Sequence, residues 1–359
     1  MSFSELGWSQ PFDLLEYFRT EYPPKWTPAR VCYISHKAFH LIRPDGEFSA
    51  VVSGRLRFEA KDGGLWPVVG DWVAALPRDD GSWTIQSVVP RANALYRGLM
   101  ERGEPNQMMA ANVDVALILS GLDNNLNLRR VERYVHLAKS NKIRPVIVLN
   151  KLDLSPDTEA VKVVLAAFEC EVHFISALTG AGVDELAAAI GQGQTAVLLG
   201  SSGVGKSTLF NRLLGREAQR TSAVRDSDSK GRHTTTHRQL IPMPQGWVLI
   251  DMPGIREVGL PSAPEESTDA TFPDIQAWAI ECRFPDCRHE SEPDCRVQQA
   301  VKLGKLDAAR LRNFHKMKHE VGRQLTLGDK QAEVELKARW KVIHKAQKEI
   351  YKKPKYSKE

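Results

Sequence analysis

Residues 200–208 read GSSGVGKST. Gly200, Gly205, Lys206 and Ser207 fit the pattern G-x-x-x-x-G-K-[ST], with Ser201, Ser202, Gly203 and Val204 inside it and Thr208 after it. In such a loop the backbone N–H groups curl round phosphate oxygens. The helix that follows adds the positive end of its dipole. The lysine faces the β- and γ-phosphates, and the hydroxyl after it ligates Mg²⁺. The pattern needs a strand before it and a helix after it. The apolar run TAVLL and the segment KSTLFNRLL, stopped by Gly215, supply both.

A base-reading signature lies about fifty residues earlier, where NKLD occupies 150–153. Asp153 can accept hydrogen bonds from the N1–H and exocyclic amine of guanine. Adenine has neither donor there and would leave the carboxylate unpaired. Asn150 and Lys151 belong to the same signature. SAL at 176–178 follows another apolar run, and Ser176 and Ala177 match a short motif whose backbone also touches the guanine.

DMPG at 251–254 ends the run WVLI. Asp251 is expected at the Mg²⁺ shell, and the Gly254 N–H at a γ-phosphate. Between the phosphate loop and DMPG lies SKGRHTTTH, 229–237. It is too rich in hydroxyls for a core element and reads as a switch loop. Thr235 is its candidate Mg²⁺ ligand, beside Ser207. Ile255 stands where many GTPases carry a water-orienting glutamine, so another group must place the water. His233 is the candidate in this chain; the alternatives are Arg232, neutralising phosphate charge instead, and a group supplied by a partner. Lys206, Thr235 and His233 form the expected catalytic set.

CRFPDCRHESEPDC places Cys282, Cys287, His289 and Cys295 at the spacing C-x₄-C-x-H-x₅-C. Three thiolates and one imidazole make a closed tetrahedral zinc site with no position left for substrate. One structural zinc per chain is expected. The segment looks too poor in apolar residues to fold without it. Cys32 and Cys170 sit in apolar settings and read as core residues.

The 359 residues are enough for two or three domains. The N-terminus lacks the basic and apolar regions of a secretion signal, and no run reaches the roughly 18 apolar residues of a membrane span. Five cysteines in a chain this long point to reduced thiols. Of a net charge of +5, residues 337–359 carry nine Lys or Arg against two Glu, so the remaining chain is slightly acidic. A basic tail on such a body points to a polyanionic partner.

Residues 1–28 are an extension in which Leu14, Leu15, Tyr17 and Phe18 suggest one short docked helix. From 29 to 100, segments such as RVCYIS, FSAVVSGRLRFEA, DWVAALP and WTIQSVV read as strands. About five of them suit a small OB-like barrel. From 101 to 262, apolar runs alternate with helical patterns, as in a parallel sheet covered by helices. LRRVERYVHLAKS places Leu128, Val131, Tyr134, Val135 and Ala138 on one face. Residues 263–336 hold the Cys/His cluster and helical sequence, and 337–359 are the basic tail.

These motifs run in the order base, base, phosphate, switch, switch. On PVVGDWV (67–73), GSSGVGKST, KGRHTTTHRQL (230–240), DMPGIREVGL and the Cys/His cluster, the chain resembles the ribosome small-subunit-dependent GTPase A family of circularly permuted bacterial GTPases. The resemblance covers about residues 30 to 320. It implies a multidomain α/β protein: an OB-like β-barrel, a circularly permuted P-loop GTPase domain and a C-terminal zinc-binding helical domain. It also implies GTP hydrolysis stimulated by the small ribosomal subunit, late in that subunit's maturation. Met252 departs from the family, which usually has Thr there. The expected cofactors are GTP/GDP, Mg²⁺ and Zn²⁺, and the expected partners are the small ribosomal subunit and its rRNA. A monomeric, cytoplasmic protein with no membrane contact is expected. The rivals are a GTP-dependent switch acting on a protein partner and a nucleotide hydrolase with a catalytic zinc.

Overall fold

A computed structural model describes residues 1–8, 13–35, 38–61, 65–97, 107–123, 126–155, 158–215, 238–252 and 268–321. The switch loop at 229–237, Gly254, Ile255 and the tail at 337–359 lie outside the described residues.

The barrel is built from β1 (Thr27–Ile34), β2 (Phe39–Arg43), β3 (Gly46–Val52), β4 (Trp72–Pro77) and β5 (Trp83–Val88). The strand order is β1-β2-β3-β5-β4, and β4 pairs back onto β1, closing it. Its interior holds Val31, Leu41, Ala50, Val73 and Ile85. The strand expected across FSAVVSGRLRFEA ends at Val52. GRLRFEA does not extend β3 but forms a helix, α2 (Gly54–Lys61). Ser53 Oγ accepts from Leu56 N at 3.1 Å, and Arg55 pairs with Glu59 one turn on at 2.7 Å. Both interactions favour a helix over a strand. Leu56 alone of this segment turns into the barrel.

The second sheet runs β10-β9-β8-β11-β13-β12. Its strands are β8 (Val115–Gly121), β9 (Arg144–Asn150), β10 (Glu171–Phe174), β11 (Thr195–Gly200), β12 (Gln239–Pro242) and β13 (Val248–Asp251). All its pairings are parallel except β12 with β13. Every residue of β8 and β11 is buried, as in a sheet covered on both faces. The covering helices include α3 (Leu128–Ser140), α5 (Val183–Ile190) and α6 (Lys206–Leu214). Between β9 and β10 lies α4 (Glu159–Ala166). Gly215, in the left-handed region at φ 69°, ends α6. Tyr33 of β1 pairs with Gln239 of β12, so barrel and second sheet are hydrogen-bonded into one eleven-stranded sheet. The hairpin of β6 (Ala94–Arg97) and β7 (Gln107–Ala111) links the two in sequence.

The extension packs against this junction. Helix α1 (Leu14–Glu21), capped by Asp13, buries Leu14 and Phe18. Phe3 and Trp8 meet the Trp72 ring edge-on, with centroids 6.0 and 5.3 Å away. Arg30 is fully buried, and its guanidinium donates to three carbonyls: Leu6 (2.5 Å), Gly70 (3.1 Å) and Asn112 (3.1 Å). Burial lowers its pKa to about 10, still far above neutrality. One cation thus ties the extension, the barrel and the entry to the second sheet. Beside it, Asp71 holds Arg91 with two contacts of 2.7 Å.

The C-terminal module has α7 (Pro273–Ala279), α8 (Arg296–Lys302) and a helix over 308–321. Its core contains Phe272, Ile275, Val297, Leu311, Phe314 and Met317. This is more apolar packing than the segment's composition suggests, because the last helix turns one face to the cluster. Among the described residues, no helix is long and apolar enough to cross a membrane.

Candidate nucleotide and metal sites

The phosphate loop leaves β11 at Gly200 and enters α6 at Lys206. Gly205 has φ +95°, and a Cβ there would collide with the Asn150 side-chain amide. A Cβ at Gly200, φ +153°, would lie 2.7 Å from the Leu119 carbonyl. Both positions therefore require glycine. Val204 is buried under the loop, while Ser202 and Gly203 are exposed. Lys206 Nζ donates to the carbonyls of Gly200 (2.8 Å) and Ser201 (2.6 Å), which holds its charge over the loop. Ser207 and Thr208 are half-buried in the first turn of α6. Asp251, half-buried at the end of β13, lies in the strand beside β11.

Asn150 at the end of β9 joins the base signature to the loop. Its Nδ2 donates to Val204 O at 2.8 Å, and its Oδ1 accepts from Ala177 N at 2.9 Å. Three segments far apart in sequence converge on one buried amide. Lys151 takes the left-handed conformation at φ 69° and pairs with Asp123 at 2.5 Å. This aims its side chain back across the end of β8. Asp153 lies in a short 3₁₀ turn, Leu152–Leu154, and its Oδ1 accepts from Ser176 Oγ at 2.5 Å. Ser176 Oγ in turn accepts from Thr179 N at 3.2 Å. The SAL turn is steadied from below, where Arg212 of α6 donates to the carbonyls of Ala177 (3.3 Å) and Leu178.

The structure therefore gathers Asn150, Lys151, Asp153, Ser176, Ala177 and the loop 200–208 at the carboxyl ends of β9, β10 and β11. Crevices at strand carboxyl ends are where open α/β sheets bind ligands. His233, Thr235 and Gly254 fall outside the described residues. Two further contributors, Asp123 and Arg130, carried no motif. Arg130 Nη1 donates to Ser201 Oγ at 2.7 Å. Only their position just after β8, a strand that ends beside the loop, could have pointed to them.

Cys282, Cys287, His289 and Cys295 place their ligand atoms within 4.8 Å of one another. Cys282 Sγ lies 3.7 Å from His289 Nδ1 and 3.9 Å from Cys295 Sγ, and Cys295 Sγ lies 3.5 Å from His289 Nδ1. A tetrahedron with metal–sulfur bonds of about 2.3 Å has edges close to 3.8 Å, so the donor set fits zinc. His289 has φ 64°, and its carbonyl accepts from Gln298 Nε2 at 2.6 Å, which fixes the turn that aims the ring. Burial, with Lys318 and His315 nearby, lowers the His289 pKa and favours the neutral imidazole that a metal needs. Burial and the neighbouring thiols push Cys287 up to about 12 without metal, so ligation must displace a proton. Cys295 caps α8 and accepts from Gln298 N at 3.5 Å. Among the described cysteines, Cys32 is buried and its thiol is pushed up to about 12 by burial, and Cys170 is half-buried and also raised.

The metal module is fastened to α3. Arg310, nearly buried, contacts Asp274 (2.5 and 2.7 Å), Glu132 of α3 (2.7 Å) and the Ala167 carbonyl (3.1 Å). Asn313 also donates to Glu132. Arg133 makes a bidentate pair with Glu320 at 2.8 and 2.9 Å. His136 meets Thr271 at 3.1 Å, and Lys139 donates to Ala270 O at 2.7 Å. The apolar stripe expected on α3 is buried at Val131, Tyr134, Val135 and Ala138. Glu132 and His136 on the other side are buried as well, under the module.

The RsgA GTPase family model matches residues 88–261. The small ribosomal subunit biogenesis GTPase RsgA of Syntrophotalea carbinolica is 40% identical over 352 residues, which cover 96% of each chain. The protein of the same name, numbered 2, from Lactiplantibacillus plantarum is 41% identical, covering 80% of this chain and 81% of its own. The crystal structure of YjeQ from Thermotoga maritima superposes with TM-score 0.62 at 26% identity, covering 82% of this chain and 98% of that one. YloQ, a circularly permuted GTPase, shares the fold at TM-score 0.61 and 22% identity, covering 85% and 98%. With a phosphate loop tied to a guanine signature that precedes it in sequence, and full-length relatives at this identity, the chain belongs to the RsgA GTPase family and is a GTP-hydrolysing enzyme.

Proposed function

We propose that the enzyme binds the small ribosomal subunit and hydrolyses GTP late in that subunit's maturation, with hydrolysis stimulated by the subunit. The observation that carries this reading is the match, over nearly the whole chain, to proteins named for small-subunit biogenesis. The division into extension (1–28), barrel (29–100), GTPase domain (101–262), zinc domain (263–336) and basic tail (337–359) belongs to the same reading. Barrel, zinc module and tail offer phosphate-binding surface to ribosomal RNA. The protein acts as a cytoplasmic monomer.

Asp153 reads the guanine, and the loop 200–208 holds the phosphates. Ser207 and Thr235 would hold Mg²⁺, with Asp251 at its shell. The ion would supply charge neutralisation at the phosphates. Zinc on Cys282, Cys287, His289 and Cys295 supplies structure only. His233 orients the attacking water where Ile255 cannot.

The test is GTP turnover with and without each purified ribosomal subunit, on the wild type and on His233→Ala. The reading expects stimulation by the small subunit alone, most of it lost in the variant, with nucleotide affinity nearly unchanged. Stimulation by neither subunit would sink it and favour a switch acting on a protein. Full stimulation in the variant would move the water-orienting role away from His233.

A further inference from the structure

We infer that Arg130 is a positioning residue through which the phosphate loop and the metal module sense one another, with α3 as the rod between them. The inference rests on the nucleotide reading of the loop.

Arg130 lies in the first turn of α3, where Asn127 caps the helix by accepting from Arg130 N. Its guanidinium holds Ser201 Oγ at 2.7 Å. The Ser201 carbonyl holds the Lys206 ammonium at 2.6 Å. Any movement of Lys206 toward a phosphate therefore changes the load on Ser201, and Arg130 is attached to the same residue. The next residues of the same helix grip the module: Glu132 through Arg310 and Asn313, Arg133 through Glu320, His136 through Thr271, Lys139 through Ala270. Thirteen residues of α-helix form a rod of about 20 Å. One end touches the loop and the flank carries the module. Val131, Tyr134, Val135 and Ala138 pack that rod into the core that holds Ile118, Ile147 and Leu149 of the sheet, so the loop and the module are attached to one packed element.

This path is distinct from the chain connection between DMPG and the module. It works through packed side chains, needs no segment outside the described residues, and makes the loop's state readable where the module sits. Coupling of this kind is reciprocal: a ligand whose affinity for the module changes with the bound nucleotide must change nucleotide affinity by the same factor.

The experiment uses the full-length, zinc-loaded protein as wild type, Arg130→Ala, Ser201→Ala, the double variant and Arg130→Lys. Hydrogen exchange over 268–321 is compared with GDP and with a non-hydrolysable GTP analogue, and the affinities of both nucleotides are measured. The wild type should show a nucleotide-dependent difference in the module without any partner present. Arg130→Ala should reduce that difference at least about fivefold, a typical coupling factor. Ser201→Ala should do the same, and the double variant should do no more than either single change. Arg130→Lys should restore part of it. Zinc content should stay at one per chain. An exchange pattern in the wild type that ignores the nucleotide, or additive losses in the double variant, overturns the inference. Failure of both nucleotides to bind the wild type would instead fault the nucleotide reading itself.

Discussion

Asn150 and Val204 are 54 residues apart in sequence and joined by a 2.8 Å hydrogen bond between the Asn150 amide and the Val204 carbonyl. The other end of the same amide holds Ala177 N. Asn150→Ala strands a buried carbonyl and a buried N–H, each at a cost of about 1–3 kcal/mol. GTP and GDP affinity should both fall by at least roughly tenfold, measured with fluorescent nucleotides. Gly205→Ala should be worse, because its Cβ meets the same amide at a positive φ. A Gly205→Ala protein that binds nucleotide normally would refute the geometry.

Asp153→Asn should weaken GTP binding and improve that of xanthosine triphosphate, because the amide presents a donor where the carboxylate accepts. The Ser176 hydroxyl, now 2.5 Å from Asp153 Oδ1, can turn to serve either side chain. The swap should therefore change base preference with little change in melting temperature. Unaltered preference between the two triphosphates would remove Asp153 from base reading.

Cys287→Ala should abolish the equimolar zinc that elemental analysis is expected to find. Its loss should disorder residues 268–321 while leaving the barrel folded, since the barrel has its own core. A metal-free protein whose module keeps native exchange protection would contradict the assignment.

Glu292 shapes the turn behind His289 by accepting N–H donors from Arg288 (2.8 Å), Glu290 (2.9 Å) and Ser291 (3.1 Å). These donors lower its pKa to about 2, against an ordinary 4.5. The folded value is the depressed one. The contribution is therefore complete above about 4.5 and lost as pH falls toward 2. An NMR titration of the Glu292 carboxyl carbon should give a midpoint near 2. A midpoint near 4.5 would mean the turn is not held this way.

Gly7→Ala should destabilise the whole assembly. A Cβ at Gly7, φ +86°, would strike the Arg30 guanidinium and come within 2.6 Å of Thr195 Oγ1. Removing residues 1–8 takes away the Leu6 carbonyl that holds Arg30 and uncovers Trp72. A lost hydrogen bond to a buried cation costs about 1.5–3 kcal/mol. Either change should lower the melting temperature by several degrees. An unchanged melt would show that the extension carries no load.

The loop, the base signature and the metal cluster were legible because each is a local pattern with a fixed chemical demand. Gly205, Asp153 and Cys282 can be read without knowing what surrounds them. Arg30, Glu132 and Arg130 could not be found in this way. Each acts through partners scattered along the chain: Leu6, Gly70 and Asn112 for Arg30, Arg310 and Asn313 for Glu132, Ser201 for Arg130. Periodicity marked one face of α3 and was silent about the second, because a charged and a polar side chain bury there against specific partners. The run SGRLRFEA misled because Leu and Phe alternating with Arg imitate a strand. The hydroxyl of Ser53 and the Arg55–Glu59 spacing carried the opposite signal. Strand β12 is four residues long and too short for alternation to show.

The order of strands also bears on how the chain is made. β8, β9 and β10 leave the ribosome before β11, yet β11 belongs between β8 and β13. During synthesis, therefore, β8, a strand buried along its whole length in the finished sheet, presents an unpaired edge until residue 200 has emerged, while the barrel ahead of it can already close. The central strand of the sheet arrives late, and the phosphate loop arrives with it. A nascent chain of this enzyme can thus complete its barrel early, but it cannot hold nucleotide until the sheet around it is nearly finished.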